Sequence, residues 1–203
     1  MSADIGQSEW SSDRGAKWRE QLPLMEAMLG VFDPVLIDAL DLQENMRIAE
    51  IGCGGGGTSL AIAAHAPAGC TVRGFDISPD LIDAARARVS GDNDTVSFEL
   101  ADAGRLSPPA EPYDRLVSRF GVMFFDDAPA AFTSLRGQLK PGGRIAFAVW
   151  ASPMDNPWMT GLLVAASEFI EIERPAPDTP GPFRYGDAAV LTDLLEGAGF
   201  TDL

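Results

Sequence analysis

The chain is short of histidine, cysteine, basic residues and long apolar runs, and each shortage narrows what it can do. It has one histidine, His65, and two cysteines, Cys53 and Cys70, among 203 residues. That leaves no His-rich metal site, no zinc-type spacing and no disulfide framework. A reducing cytoplasm is the simplest setting for such a chain. Lys and Arg together number 15 against 30 Asp and Glu, so the formal net charge is −15 and nucleic acid is not an expected partner, because a phosphate-binding surface needs clustered cations. No apolar stretch approaches the roughly 18 residues that a membrane-crossing helix needs. The start Met1-Ser2-Ala3-Asp4-Ile5-Gly6 lacks the basic and apolar regions of a signal peptide. What remains is an ordinary globular composition, 46% hydrophobic and 22% charged, in a length that suits one domain with a sizeable core.

Glycine, by contrast, is concentrated where it tells most. Ile48-Ala49-Glu50-Ile51-Gly52-Cys53-Gly54-Gly55-Gly56-Gly57-Thr58 reads as an apolar strand that ends on a carboxylate, breaks into glycines and restarts as a helix. This is the strand–turn–helix unit with which open α/β sheets bind nucleotides. The helix that follows aims its unsatisfied N–H groups at the bend. Two cofactor classes use such a turn. Gly52, Gly54 and Gly57 fit the dinucleotide fingerprint, whereas Glu50 with the glycines fits acidic-x-Gly-x-Gly-x-Gly, the S-adenosylmethionine pattern. A carboxylate at the strand end suits the ammonium of a methionyl group and repels a pyrophosphate, so Glu50 favours the second. Cys53, inside the turn, reads as a small packing residue rather than a nucleophile.

Along the chain, residues 1–45 read as an amphipathic helical cover, with Trp10, Trp18, Leu22, Leu24, Met25 and Met28 as apolar points and Pro34 opening a further helix through Leu40. Residues 46–203 then alternate strand and helix patterns. Residues 71–76, 95–100, 113–118 and 144–150 read as the second to fifth strands. Ser78 is placed to cap a helix whose first residue is Pro79, and residues 128–139 are expected to be helical, stopping at Lys140-Pro141-Gly142-Gly143. Such alternation implies a parallel sheet with right-handed crossovers. The proline-rich segment 151–186 interrupts it, with a helix expected over 159–172 and a loop over 175–182. Lying beyond the end of a strand, it is placed to act as a lid, a surface excursion being the plainer reading. Asp187 is expected to cap a last helix.

Asp76 ends the second strand roughly 20 residues after the glycine turn, the place for an acid that holds ribose hydroxyls. Asp102, after the third strand, is placed to accept an adenine amino group. With these acids and the glycine bend, the chain resembles the class I S-adenosylmethionine-dependent methyltransferases, and among them the small-molecule group related to ubiquinone and menaquinone biosynthesis enzymes. The resemblance rests on Glu50-Ile51-Gly52-Cys53-Gly54-Gly55-Gly56, Gly74-Phe75-Asp76-Ile77-Ser78, Ala101-Asp102-Ala103, the stretch from Tyr113 through Ser118-Arg119-Phe120 to Phe125, and Leu139-Lys140-Pro141-Gly142-Gly143-Arg144. It implies a Rossmann-like doubly wound α/β sheet of strand order 3-2-1-4-5. The cofactor would be S-adenosylmethionine, with S-adenosylhomocysteine as product. Gly52, Cys53, Gly54 and Gly56 would pass beside the methionyl part, with Glu50 near its amino group. Asp76 would take the ribose, Ile77 would pack on adenine, and Asp102 with Ala103 would meet the adenine edge. Ser118, Arg119 and Phe120 would flank the methionyl group and floor a pocket rich in aromatics, with Phe124, Phe125, Trp150 and Trp158 close by.

Methyl transfer from a sulfonium needs alignment more than acid–base help. His65 reads as structural. Asp126, Asp127, Asn156 and Tyr185 are only weak candidates for a base, so no catalytic residue is assigned. The resemblance also implies seven strands, the last two an antiparallel hairpin, whereas the sequence given stops at 199–203, where a sixth would begin. The expectation is a fifth strand with an exposed edge that a second copy of the chain would cover. The leading function is therefore methyl transfer to a small apolar or aromatic acceptor, the alternative a SAM-binding protein of regulatory or scaffolding kind.

Overall fold

The computed structural model describes residues 7–91, 94–166, 176 and 178–203. Five strands form one sheet: β1 (Arg47–Ile51), β2 (Thr71–Asp76), β3 (Val96–Leu100), β4 (Tyr113–Arg119) and β5 (Leu139–Ala148). Their order is β3-β2-β1-β4-β5 and every pairing is parallel, as the resemblance implied. Nine helices surround the sheet among the described residues: α1 (Gln7–Trp10), α2 (Asp13–Glu20), α3 (Leu22–Leu29), α4 (Asp33–Ala39), α5 (Gly57–His65), α6 (Pro79–Arg86), α7 (Ala128–Arg136), α8 (Pro157–Ala166) and α9 (Ala188–Gly197).

The central strands β1 and β4 are buried on both faces because both faces are covered. Successive side chains of β1 point to opposite sides, so Ile48 joins Val72, Ile62, Ile82 and Leu40 in one core while Ala49 and Ile51 join Phe75, Leu116, Phe132 and Leu135 in the other. A fully buried side chain of this size contributes about 1.5–3 kcal/mol. The expected caps are present: Ser78 accepts from the Leu81 amide at 3.4 Å and Asp187 from the Ala189 amide at 3.0 Å. Arg115, buried in β4, donates to the carbonyls of Leu40 and Asp41 and so ties the end of α4 to the sheet.

Several boundaries differ from the sequence reading. β3 begins at Val96, β4 runs on to Arg119, and α7 stops at Arg136. Lys140-Pro141-Gly142-Gly143 is an irregular stretch inside β5 rather than the turn before it. The register jumps from Tyr113↔Leu139 to Arg115↔Arg144. Pro141 has no N–H for the ladder and Gly142 takes φ 76°, so the strand bulges there. β5 ends before Trp150 and lies at the sheet edge. The helix expected over 159–172 starts at Pro157 and is described to Ala166. The rest of it, and residues 175 and 177 of the expected loop, lie outside the described residues.

The cover is held by close approach. A Cβ on Gly15, in α2, would stand 2.2 Å from Ser78 Oγ and 2.4 Å from the Trp10 carbonyl oxygen. In an open helix Gly15→Ala would gain up to about 1 kcal/mol of propensity. Here the clash with backbone outweighs that gain, and overpacking of this kind costs about 1–3 kcal/mol. Urea unfolding of Gly15→Ala should therefore report a loss of stability; a gain would mean that α2 does not sit on the β2–α6 turn.

Candidate active site

The strand order reverses between β1 and β4, and the crevice at their carboxyl ends is where open α/β sheets bind ligands. The glycine turn forms its floor. The Gly52 and Cys53 amides donate to the Phe75 carbonyl at 2.8 and 3.0 Å, so the bend is pinned across to β2. Gly54 has φ 53° with open space where a Cβ would be, so only its backbone conformation demands glycine. Gly56 begins α5, and a Cβ there would meet the Phe98 ring at 2.5 Å. Its role is packing, and it does not line the crevice.

A cavity of about 350 Å³ opens above this floor. Glu50, Gly52, Cys53 and Gly54 form its base, Asp76, Ile77, Ala101 and Ala103 one side, and Arg119, Phe120, Phe124, Phe125, Trp150 and Trp158 the other. Asp76 Oδ2 accepts from the Gly54 amide at 2.8 Å and Oδ1 from the Ser78 amide at 2.9 Å. Burial nonetheless pushes its carboxyl above the ordinary value, those backbone bonds working against the shift. Each oxygen keeps a second lone pair for a hydroxyl donor.

Glu50 is 1% exposed, and its Oε2 accepts from the Ser59 hydroxyl. Burial pushes its pKa up to about 8; Ser59, Arg119 and Thr58 pull it down and Asp33 pushes it further up. At neutral pH it is therefore mostly protonated, and an arriving cation would draw the proton off. This corrects the picture of a standing carboxylate without moving the residue from the site.

Arg119 donates through Nη1 to both oxygens of Asp33 at 3.1 Å, with the two side chains only 11% and 12% exposed. Thr58 adds a hydroxyl donor to Asp33 at 3.0 Å. This knot joins α4, α5 and β4 beneath the cavity. Next to it, Phe120 adopts φ 61°, a left-handed conformation that costs a bulky residue roughly 1–3 kcal/mol. That turn stacks its ring on Trp150 at 4.1 Å and 6°, with Phe32 edge-on to both and Trp158 edge-on to Trp150.

Of the residues expected at the site, Glu50, Gly52, Cys53, Gly54, Asp76, Ile77, Ala103, Arg119 and Phe120 line the cavity. Cys53 is a buried packing residue, its thiol pushed well up by burial and by the neighbouring Asp76 and Glu50. Asp102 does not line the cavity. It accepts from the Gly104 amide at 2.9 Å and pairs with Arg105 Nε at 3.4 Å, although Ala101 and Ala103 on either side face in. Ser118 is fully buried, donating to the Ile51 carbonyl at 2.8 Å and accepting from the Gly121 amide at 3.2 Å, so it fixes the loop that carries Phe120. None of the weak base candidates reaches the cavity. Asp126 and Asp127 are exposed, Asp127 capping α7; Asn156 donates to the carbonyls of Ala151 and Ser152; and Tyr185 is buried in the core near Phe132, its hydroxyl pushed up to about 12 by burial. His65 is exposed on α5, its Nδ1 2.7 Å from the Ala61 carbonyl.

Two contributions escaped the sequence reading. Trp10, Trp18, Leu22, Met25 and Met28 were legible as apolar points of a cover, yet they form the cavity's roof. Asp33, which holds Arg119, and Thr58, which donates to Asp33, were given no role by the sequence reading.

A doubly wound sheet with an acid and glycines at the end of β1 and a second acid at the end of β2 is the arrangement that the resemblance to class I, S-adenosylmethionine-dependent methyltransferases implied. Comparison with known proteins agrees. Residues 48–143 match the family described as Methyltransferase domain. An uncharacterized Mycobacterium tuberculosis protein is 29% identical over 182 residues, covering 89% of this chain and 62% of that one. The chain thus spans under two thirds of the length of the curated relatives it matches. The wheat (Triticum aestivum) phosphoethanolamine N-methyltransferase is 28% identical over 82% of this chain and 30% of its own length. In fold, a chain from the Haloferax volcanii complex containing the Trm112 methyltransferase activator superposes with a TM-score of 0.70 at 21% identity, over 92% of this chain and 76% of that one. Among the described residues no helix is long and apolar enough to cross a membrane.

Glu50 also links the site to stability. Its folded pKa of about 8 lies above the ordinary 4.5, so its contribution is full below about pH 4.5 and is lost as pH rises through 8. Glu50→Gln, which cannot ionise, should remove this decline. The stability difference between the variant and the parent should change in the variant's favour from about pH 5 to 8.5, by on the order of a few kcal/mol. A constant difference in denaturant titrations across that range would contradict the buried, protonated Glu50.

Proposed function

We propose that this chain is a methyltransferase that moves the methyl group of S-adenosylmethionine to a small, apolar or aromatic acceptor. The observation that carries the reading is the division of one cavity into two halves, with Glu50 and Asp76 on one side and a stacked aromatic wall on the other. The residues fit the cofactor. The open space beside Gly54 admits a ligand against backbone, Asp76 has lone pairs for a ribose diol, and Glu50 would release its proton to solvent and pair as a carboxylate with a methionyl ammonium. When bound, S-adenosylmethionine supplies an activated methyl on a sulfonium, which leaves as S-adenosylhomocysteine.

What the chain contributes is position and dryness. Holding an acceptor in line with the methyl group is worth about 7–11 kcal/mol without any proton transfer. Phe120 and Trp150 provide a flat apolar wall, and a ring near a sulfonium adds about 0.5–2 kcal/mol. Among the described residues no His or Tyr lines this half, which suits acceptors that give up their proton readily. The segment 151–186 contributes Trp158, Met159 and Pro182 to the wall, and Trp10, Trp18, Leu22, Met25 and Met28 form the roof, which supports reading the two regions as lid and cover. The wheat relative's methyl transfer to nitrogen supports the reaction class.

A labelled-methyl transfer screen against phenols, quinones and polyketide-like acceptors tests the proposal. Binding of S-adenosylmethionine and S-adenosylhomocysteine without transfer to any of them would favour the regulatory or scaffolding alternative, and binding of NAD instead would refute both. Asp76→Ala should weaken S-adenosylhomocysteine binding at least about tenfold in calorimetry, from two charge-assisted bonds at roughly 1.5–3 kcal/mol each. An unchanged affinity would remove the ribose assignment. Phe120→Gly relieves the positive φ, so it should retain folding stability within about 1 kcal/mol while losing about tenfold or more in kcat/KM. Unaltered turnover would take the stacked wall out of the acceptor site.

A further inference from the structure

Trp10 is the last residue of α1 and lines the cavity. Its ring stands edge-on to Trp18 at 5.4 Å and to Phe124 at 5.1 Å, with the Arg14 guanidinium 5.9 Å above it. Its indole Nε1–H is nevertheless buried with no hydrogen-bond partner among the described residues. The other such atoms, Arg184 Nε and the Tyr185 hydroxyl, belong to side chains away from the cavity wall. A buried Trp N–H ordinarily finds a partner.

The surroundings say where that partner would come from. The Trp10 carbonyl crowds the Gly15 position against Ser78, and Arg19 of α2 reaches Asp80 at the start of α6, with Nη1 3.2 Å from the Asp80 carbonyl. Trp10 is thereby fixed beside the turn that carries Asp76 and Ile77, while Phe124 anchors it to the segment after β4. It spans the crevice between the ends of β2 and β4. Indole is a donor only, so its partner must be an oxygen or an unprotonated ring nitrogen. A nucleoside carries several such atoms, and the turn that Trp10 flanks is the one that bears Asp76 and Ile77.

We propose that Trp10 is a ligand-binding residue whose indole N–H donates to an acceptor atom of the nucleoside held in the cavity, making α1 and α2 part of the cofactor site. The inference rests on the nucleoside reading of that cavity. Binding of the nucleoside and settling of the cover are then one event.

Calorimetry with S-adenosylhomocysteine on Trp10→Phe tests it. The expected result is a dissociation constant raised about five- to twentyfold, the loss of one hydrogen bond. The ligand-free melting temperature should be unchanged or higher, since Phe keeps the ring contacts and deletes the unpaired donor. An affinity equal to the parent's overturns the proposal. If the parent itself fails to bind S-adenosylhomocysteine, the nucleoside reading falls and takes this inference with it. If Trp10→Phe does not fold, the parent protein gives the answer through its indole resonances. The four tryptophans are Trp10, Trp18, Trp150 and Trp158, and Phe variants at the latter three assign Trp10 by elimination. Its N–H should shift downfield and exchange more slowly with water on adding S-adenosylhomocysteine; an unmoved resonance refutes the assignment.

Discussion

The Gly54 amide donates to the Asp76 carboxylate across 2.8 Å, joining the end of β1 to the end of β2. That single contact converts two features remote in sequence into one binding surface. Because parallel strands in adjacent register end side by side, the glycine bend and the acid arrive together. The Phe75 carbonyl, accepting from Gly52 and Cys53, locks the same corner from the other direction. The rest of the site is built round this corner: the roof lies on the β2–α6 turn beside it, and the aromatic wall faces it from β4.

Beneath the corner lies a buried polar chain whose energetics are opposed to simple stability. Glu50 and the Arg119–Asp33 pair are largely buried, with the hydroxyls of Ser59 and Thr58 donating to the two acids. Burying charge in this way seldom stabilises a fold. Its use is electrostatic: the site holds an acid that is close to neutral alone and becomes anionic when a cation arrives. Phe120 shows a similar exchange of local strain for position, since its left-handed backbone aims the ring at Trp150 instead of along the strand. Strained residues of this kind concentrate where ligands are held.

Much of the arrangement was readable from residue order. The glycine bend, the strand from Thr71 to Asp76, the Ser78 cap and the alternation of strands with helices all follow from local chemistry, namely β-branched and apolar runs, capping oxygens and glycine. The sheet order came through the family resemblance. Local signals misjudged Lys140-Pro141-Gly142-Gly143, because a proline and two glycines resemble a turn even where a bulge lets the strand continue. They also overvalued Asp102, whose carboxylate satisfies the Gly104 amide and Arg105, and Ser118, whose hydroxyl serves the loop behind the wall.

By itself, then, the order of residues determined the type of sheet, the nucleotide-binding bend and the acids that accompany it, since these depend on contacts within a few residues or on one repeating pattern. Only the tertiary structure decided that burial raises the Glu50 pKa, that Asp33, itself held by Thr58, pairs with Arg119, and that Trp10 and Trp18 roof the cavity. Protonation depends on desolvation by every surrounding element, and the roof depends on how closely α2 approaches Ser78. Such distances arise between segments far apart in the chain, where no local pattern records them.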